Sequence, residues 1–188
     1  PFSGTLIISA SRERAKEYSL SQSEERIISI RSFWFTKSGD QFIGAFDIQQ
    51  TLEHDAAAQI YRFHNRDGSY IEFDDFSRMF QRYVDPAGNE VRVTSLHDNG
   101  FNFTQVERTY TSGGTTTTER YDYQYTKSAG NDVLQNVRLS RRVGGGVWTN
   151  VSRATYTYFG AGETDGGPSD LKTVTTQTWV EPSWAVTV

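Results

Sequence analysis

An all-β, antiparallel fold is what this sequence predicts, and three observations carry the prediction. Apolar and aromatic residues recur with a period of two, as in Tyr121, Tyr123 and Tyr125 or Val137 and Leu139. Turn-forming clusters such as Asp67-Gly68, Ser112-Gly113-Gly114 and Gly144-Gly145-Gly146 punctuate the chain at intervals suited to hairpins. No helical stretch of crossover length separates the apolar runs, so parallel pairing has no connection to use. The sheet is expected as a meander of hairpins, open to curling into a half-barrel or a sandwich.

Taken in order, residues 4–10 read as a strand. Ser11 to Gln22 is polar and charged, with Arg12, Glu13, Arg14, Lys16 and Glu17, and reads as a short helix or a solvated surface segment. From Arg26, Ile28 and Ile30, then Phe33 and Phe35 around Trp34, build a strand with two apolar faces. Ser38-Gly39-Asp40 is a turn, and Gln41 to Gln50 is predicted to return as a strand. Ala56-Ala57-Ala58 is a candidate start for a short helical turn. Tyr61 to Phe73 forms the clearest hairpin, with Asn65-Arg66-Asp67-Gly68 at its tip. The Asp-Gly pair supplies the positive φ that a tight hairpin needs.

Strand residues continue through Val91 and Val93 and stop at His97-Asp98-Asn99-Gly100. Val106 to Tyr110 and Thr115 to Tyr125 form the next hairpin. Lys127 to Asp132 turns the chain, and Gly144 to Gly146 turns it again before Trp148. Ala154, Tyr156 and Tyr158 share a face. Phe159 to Ser169 is a Gly-rich loop, and Leu171 to Trp179 is the last clear strand. The whole, about a dozen strands at even spacing, reads as one domain over residues 1–188.

The 188 residues suffice for a domain with its own core. A net charge of -4 disfavours nucleic acid and anionic membrane surfaces as partners. Cysteine is absent, which removes disulfides and thiolate metal sites. Apolar runs are strand-sized, as at Leu6-Ile7-Ile8, and none approaches the ~20 residues of a membrane-spanning helix. The start at Pro1 and the end in the β-favouring run Ala185-Val186-Thr187-Val188 suggest a processed product or, better, an excised piece of a longer protein.

Residues 73–89 combine the most distinctive chemistry, in the order Phe73-Asp74, Ser77-Arg78-Met79 and Asp85-Pro86-Ala87-Gly88-Asn89. Pro86 presets φ for the first central position of a turn, Gly88 accepts positive φ, and Asp85 can accept turn N–H groups. Phe73 is expected to pack on a neighbouring strand, and Arg78 to bridge to a carboxylate or a carbonyl. This ordered set resembles the YD repeat of the RHS family of large bacterial surface and toxin-shell proteins. That repeat runs Tyr-Asp-x-x-Gly-Arg-Leu and then Asp-Pro-x-Gly-Asn. Tyr121-Asp122-Tyr123-Gln124-Tyr125 resembles a second, degenerate element. The segment from Ala154 to Gly160 and the later Ser169 to Thr173 are similar to RHS repeat-containing proteins of planctomycete-like bacteria. The resemblance covers residues 51–178, with 1–50 matched loosely and 179–188 left as a strand or tail.

The resemblance implies a segment of a long β-ribbon that winds into a shell, at the bacterial cell surface or secreted. It implies flanking repeats or other copies as partners. Toxin members release cargo at a self-cleaving Asp-Pro-x-Gly followed by Leu. Here Asn89 follows Gly88, so Asp85 to Asn89 is expected to be an ordinary repeat turn. One good repeat and weak echoes do not amount to a complete shell.

Catalytic patterns are sparse. His54, His64 and His97 are scattered, no His-Glu-x-x-His, Gly-x-Ser-x-Gly or P-loop is present, and Asp74 and Asp75 are neighbours that a strand would point to opposite faces. Glu72 and Asp85 are the remaining partners for a glycosidase-like carboxylate pair. Glu163, Asp165 and Asp170 lie in a Gly-rich loop without EF-hand spacing. The expectation is therefore a structural or interaction role, with no enzyme activity, no cofactor, no metal and no membrane insertion. The alternative is a carbohydrate module that stacks extracellular polysaccharide on Trp148, Tyr121, Tyr123 and Tyr125. Trp34, Trp179 and Trp184 are further aromatic candidates, with core packing as the competing use of all these rings.

Overall fold

β-Branched and aromatic residues alternate with polar ones over most of this chain, and that alternation becomes strand after strand. A computed structural model describes residues 5–10, 31–38, 41–45, 47–98 and 100–186. All fourteen regular elements among these residues are strands, and every ladder described below is antiparallel. The segment Ser11 to Gln22, together with Ile28, Ile30, Gly39, Asp40 and Asn99, lies outside the described residues. The chain groups into two units, Pro1–Arg78 and Met79–Val188.

In the first unit, β1 (Thr5–Ala10), β2 (Arg31–Ser38) and β3 (Gln41–Gly44) form a three-stranded sheet in that order. Ile7 stands opposite Trp34, and Thr36 opposite Ile43. β4 (Thr51–Asp55), β5 (Ile60–His64) and β6 (Tyr70–Asp74) pair in sequence. The core of this unit is Phe35, Leu52, Tyr61 and Phe63, joined by Phe42, Ile48, Ile71 and Phe73. Phe35 is only 1% exposed and meets Phe63 edge-on, with ring centroids 6.1 Å apart.

Two expectations are corrected here. The strand predicted over Gln41 to Gln50 ends at Gly44. Asp47 takes a positive φ of 53°, and Ile48 donates its N–H to Ala45 O at 3.4 Å. This bend returns Ile48 to the core; a Cβ on Gly44 would collide with the Ile48 side chain. The alanines at 56–58 make a turn and no helix. Asp55 Oδ1 accepts the N–H groups of Ala57 and Ala58, and Gln59 leaves the turn at a positive φ of 55°.

In the second unit the strands are β7 (Phe80–Val84), β8 (Glu90–Leu96), β9 (Phe103–Ser112), β10 (Thr115–Ser128), β11 (Asn131–Val143), β12 (Thr149–Tyr158), β13 (Leu171–Val180) and β14 (Ser183–Val186). Each pairs with its sequence neighbours, from β7 to β14. The tail after Trp179 is thus a further strand. Extensive contacts run between ladder neighbours only, so this unit is a single-layered meander. Among its described residues Val93 is the buried hydrophobe, while Thr118, Glu119 and Ser140 are the buried polar groups. Cross-strand pairs, more than a packed apolar core, hold it together.

Candidate functional site

The repeat-like residues of the first unit form a turn built around one carboxylate. Asp74 ends β6, and its Oδ1 accepts the N–H of Phe76 at 3.1 Å, the N–H of Ser77 at 2.7 Å and the Ser77 hydroxyl at 2.7 Å. Arg78 N–H closes the turn on Asp74 O at 3.0 Å. Asp75 no longer lies on a strand. Its Oδ1 accepts from Arg78 at 2.7 Å and its Oδ2 pairs with His54 Nε2 at 3.0 Å. Glu72 faces another way, bound to Arg62 at 2.9 Å. These carboxylates are committed to separate partners. Phe73 stands opposite Tyr61 and packs on the core.

Arg78 has a positive φ of 61°, although the resemblance would put glycine one residue earlier, at Ser77. A non-glycine side chain in this region is strained by roughly 1–2 kcal/mol. The ion pair with Asp75 and the guanidinium stacked 4.3 Å over the Tyr61 ring offset that strain. Both contacts vanish in Arg78→Ala and Arg78→Gly, but glycine also relieves the backbone. Arg78→Gly is therefore expected to be more stable than Arg78→Ala by about 1 kcal/mol in denaturant unfolding. Equal stability of the two variants would remove backbone strain from this account.

In the second unit, Asp85 to Asn89 closes the β7–β8 hairpin. Asp85 N–H bonds Asn89 O at 3.0 Å, and Gly88 N–H bonds Asp85 O at 3.0 Å with Gly88 at φ 81°. Asp85 Oδ1 accepts from the N–H groups of Ala87 and Asn89, and its Oδ2 from Asn89 Nδ2 at 2.7 Å. Asn89 Oδ1 also accepts the N–H of Thr111 on β9 at 3.1 Å, a link with no local signature. Pro86 occupies the turn position whose N–H is not needed. The β5–β6 hairpin repeats the scheme: Gly68 at φ 87° bonds Asn65 O, and Asp67 holds the buried Ser69. Positive φ therefore falls on the glycine alone, the pattern of a type I turn closed by a left-handed residue.

Asp67, Asp74 and Asp85 titrate below the ordinary aspartate value. The main cause is the Ser69 hydroxyl for Asp67, the Ser77 N–H for Asp74 and the Asn89 side-chain amide for Asp85. A lowered folded-state value means stability that is present above the ordinary carboxylate range and lost as pH falls through the lowered values. Carboxyl-carbon NMR titration should find all three below the ordinary value. Asp74→Asn should flatten the acid limb of the stability profile. A normal Asp74 titration would contradict the hydrogen bonding described.

The aromatic candidates separate onto two faces of the meander. Tyr121, Tyr123 and Tyr125 share one face of β10, opposite Leu139, Val137 and Leu134 of β11. Burial pushes all three phenols up. Tyr125 donates its hydroxyl to Phe103 O at 3.0 Å. Trp148 lies over the other face, between Arg120 at 4.0 Å and Arg142 at 4.7 Å. Arg120 and Arg142 alternate with Tyr121 and Arg141 along their strands, which puts them on the face opposite the tyrosines. The four residues do not form one platform.

That second face carries a polar ladder with a depression of about 130 Å³ lined by Asp122, Gln124, Asn136, Arg138, Asn150, Arg153 and Trp184. Asp122 accepts from Gln105 at 3.0 Å and from Arg138 at 3.2 Å. Arg153 donates Nε to Gln177 Oε1 at 2.6 Å, and its guanidinium lies 4.7 Å over the Trp184 ring. Trp184 meets Trp179 edge-on at 5.0 Å. No motif or spacing in the sequence marks this group, and Trp184 is one of several rings without a period to place it. Its residues come from three adjacent strands and the terminal β14.

Each histidine has its own local partner: His54 pairs with Asp75, His64 with Glu53 at 3.3 Å, and His97 packs against Tyr125. In the loop before β13, Glu163 binds Lys172 at 2.6 Å, and Asp170 accepts the N–H of Gly167. Among the described residues no cluster of three or more histidine or acidic side chains could hold a metal ion. Comparison with family models, curated proteins and solved structures returns no match for this chain.

Proposed function

We propose that this chain is a non-catalytic architectural and interaction segment of a larger bacterial cell-surface or secreted protein of YD-repeat type. One observation carries the reading: the second unit extends one hairpin at a time in a single layer, with every strand bonded to its sequence neighbours. Growth by repeated hairpins is how a ribbon is built. The carboxylates of Asp74 and Asp85 support it, because each is consumed by turn N–H groups and neither is left to do acid–base work. The partners would be flanking repeats of the same polypeptide or other copies of it.

An edge strand in such a segment invites pairing. Among the described residues β14 pairs with β13 alone. The full chain should associate with rising concentration in sedimentation velocity, and Val186→Lys on β14 should weaken that association. A strictly monomeric species across all concentrations would count against the reading. A second reading, binding of extracellular polysaccharide, is favoured by the Trp184-walled depression rather than by the tyrosine row.

A further inference from the structure

The register of β11 and β12 sets Arg138 directly opposite Arg153. Like charges in that position face each other across roughly 5 Å and destabilise a sheet. One carboxylate, Asp122, stands beside them, and it is bonded to Arg138 and Gln105. The depression therefore carries two cations and one anion, in a chain whose net charge is -4. Each guanidinium has five N–H donors, and the bonds described engage one of them on each arginine. Arg138 remains about half exposed, at 47% of its side chain.

We infer that this depression binds a carboxylate-bearing saccharide, a class that deepens the polysaccharide reading and rests on it. A sugar carboxylate between Arg138 and Arg153 would neutralise the facing charges through paired, charge-assisted hydrogen bonds. Gln124 Oε1 already accepts from Asn136 Nδ2, and Asn150 Oδ1 from the Ser140 hydroxyl, which leaves the amino groups of Gln124 and Asn150 and the carbonyl of Asn136 for ring hydroxyls. Trp184 lines the depression with the Arg153 guanidinium over its ring and Trp179 edge-on to it, and the rest of the indole surface is the apolar wall for a sugar ring. Amides and an indole around the arginine pair suit a sugar acid better than a bare inorganic anion.

The test titrates the full chain with trigalacturonate, its methyl ester and acetate, followed by amide NMR. Trigalacturonate should shift resonances of β10 to β12 and β14 saturably. Arg153→Gln and Trp184→Ala, each retaining the dispersed amide spectrum of the folded chain, should weaken it by about tenfold or more, the first by loss of a charge-assisted contact and the second by loss of the apolar wall. The ester and acetate should both bind more weakly. Equal binding of the ester would overturn the acidic class while leaving the polysaccharide reading intact. Equal binding of acetate would reduce the site to a simple anion site and overturn the inference. No saturable shift with either saccharide would defeat both.

Discussion

Phe63→Ala is expected to destabilise the first unit by roughly 3–5 kcal/mol, the range for an aromatic deleted from a packed core. Phe63 is 3% exposed and touches the ring of Phe35, which is itself more deeply buried. Leu52, Tyr61 and Ile71 surround the same volume, so little can collapse into the gap. Hydrogen exchange read by mass spectrometry gives the check. Amides of β4 to β6 should lose protection, whereas those of β10 and β11 should keep it. Phe63→Leu, which preserves much of the volume, should recover most of the loss and guards against a variant that simply fails to fold. Loss of protection spread evenly over both units would show that stability is not divided as the contacts suggest.

Arg141→Ala should have the largest effect in the second unit, about 2 kcal/mol. Glu119 is 5% exposed and sits between Arg141 and Arg108, directly opposite both in register. Arg141 holds Glu119 Oε1 through Nε at 3.1 Å and a terminal nitrogen at 2.7 Å, while Arg108 stands 3.6 Å from Oε2. Removing Arg141 strands a buried carboxylate with the more distant partner. Breaking a fully buried pair costs about 3–5 kcal/mol, and the water reaching the half-exposed arginine ends lowers that figure here. The Glu119 bond also raises the Arg141 guanidinium above its ordinary value, so Arg141 is cationic throughout the accessible range. Glu119→Gln should cost less than Arg141→Ala, because a neutral amide tolerates burial better than an orphaned charge. Denaturant midpoints at constant slope decide the order; the reverse ranking would refute the buried-charge argument.

What could be read from sequence was local. Asp85-Pro86-Ala87-Gly88-Asn89 specifies its turn through contacts within five residues, and the hairpin at Asn65 to Ser69 does the same. Alternation along Tyr121 to Tyr125 placed the three tyrosines on one face. Trp148 follows a glycine turn and has no period to read, so its position over Arg120 depends on where that turn releases the chain. Arg78 carries the strained backbone because tertiary partners, Asp75 and Tyr61, hold it there. Ile48 returns to the core through a bend at Asp47, a residue type that tolerates positive φ. The arginine depression was beyond reach for a further reason. It depends on register, and register shifts interrupt the ladders between Gln124 and Tyr125 and between Leu139 and Ser140.

The neighbour-to-neighbour order of β7 to β14 has a consequence for how the chain is made. Every ladder closes a short stretch of chain, so little loop-closure entropy opposes its formation. A strand leaving the ribosome needs only its predecessor as a template, and pairing can advance as synthesis proceeds. The same rule governs evolution by duplication. One hairpin added or deleted at a turn tip shifts the neighbours outward without asking any distant residue to change, so length in such a ribbon can vary while local chemistry is retained.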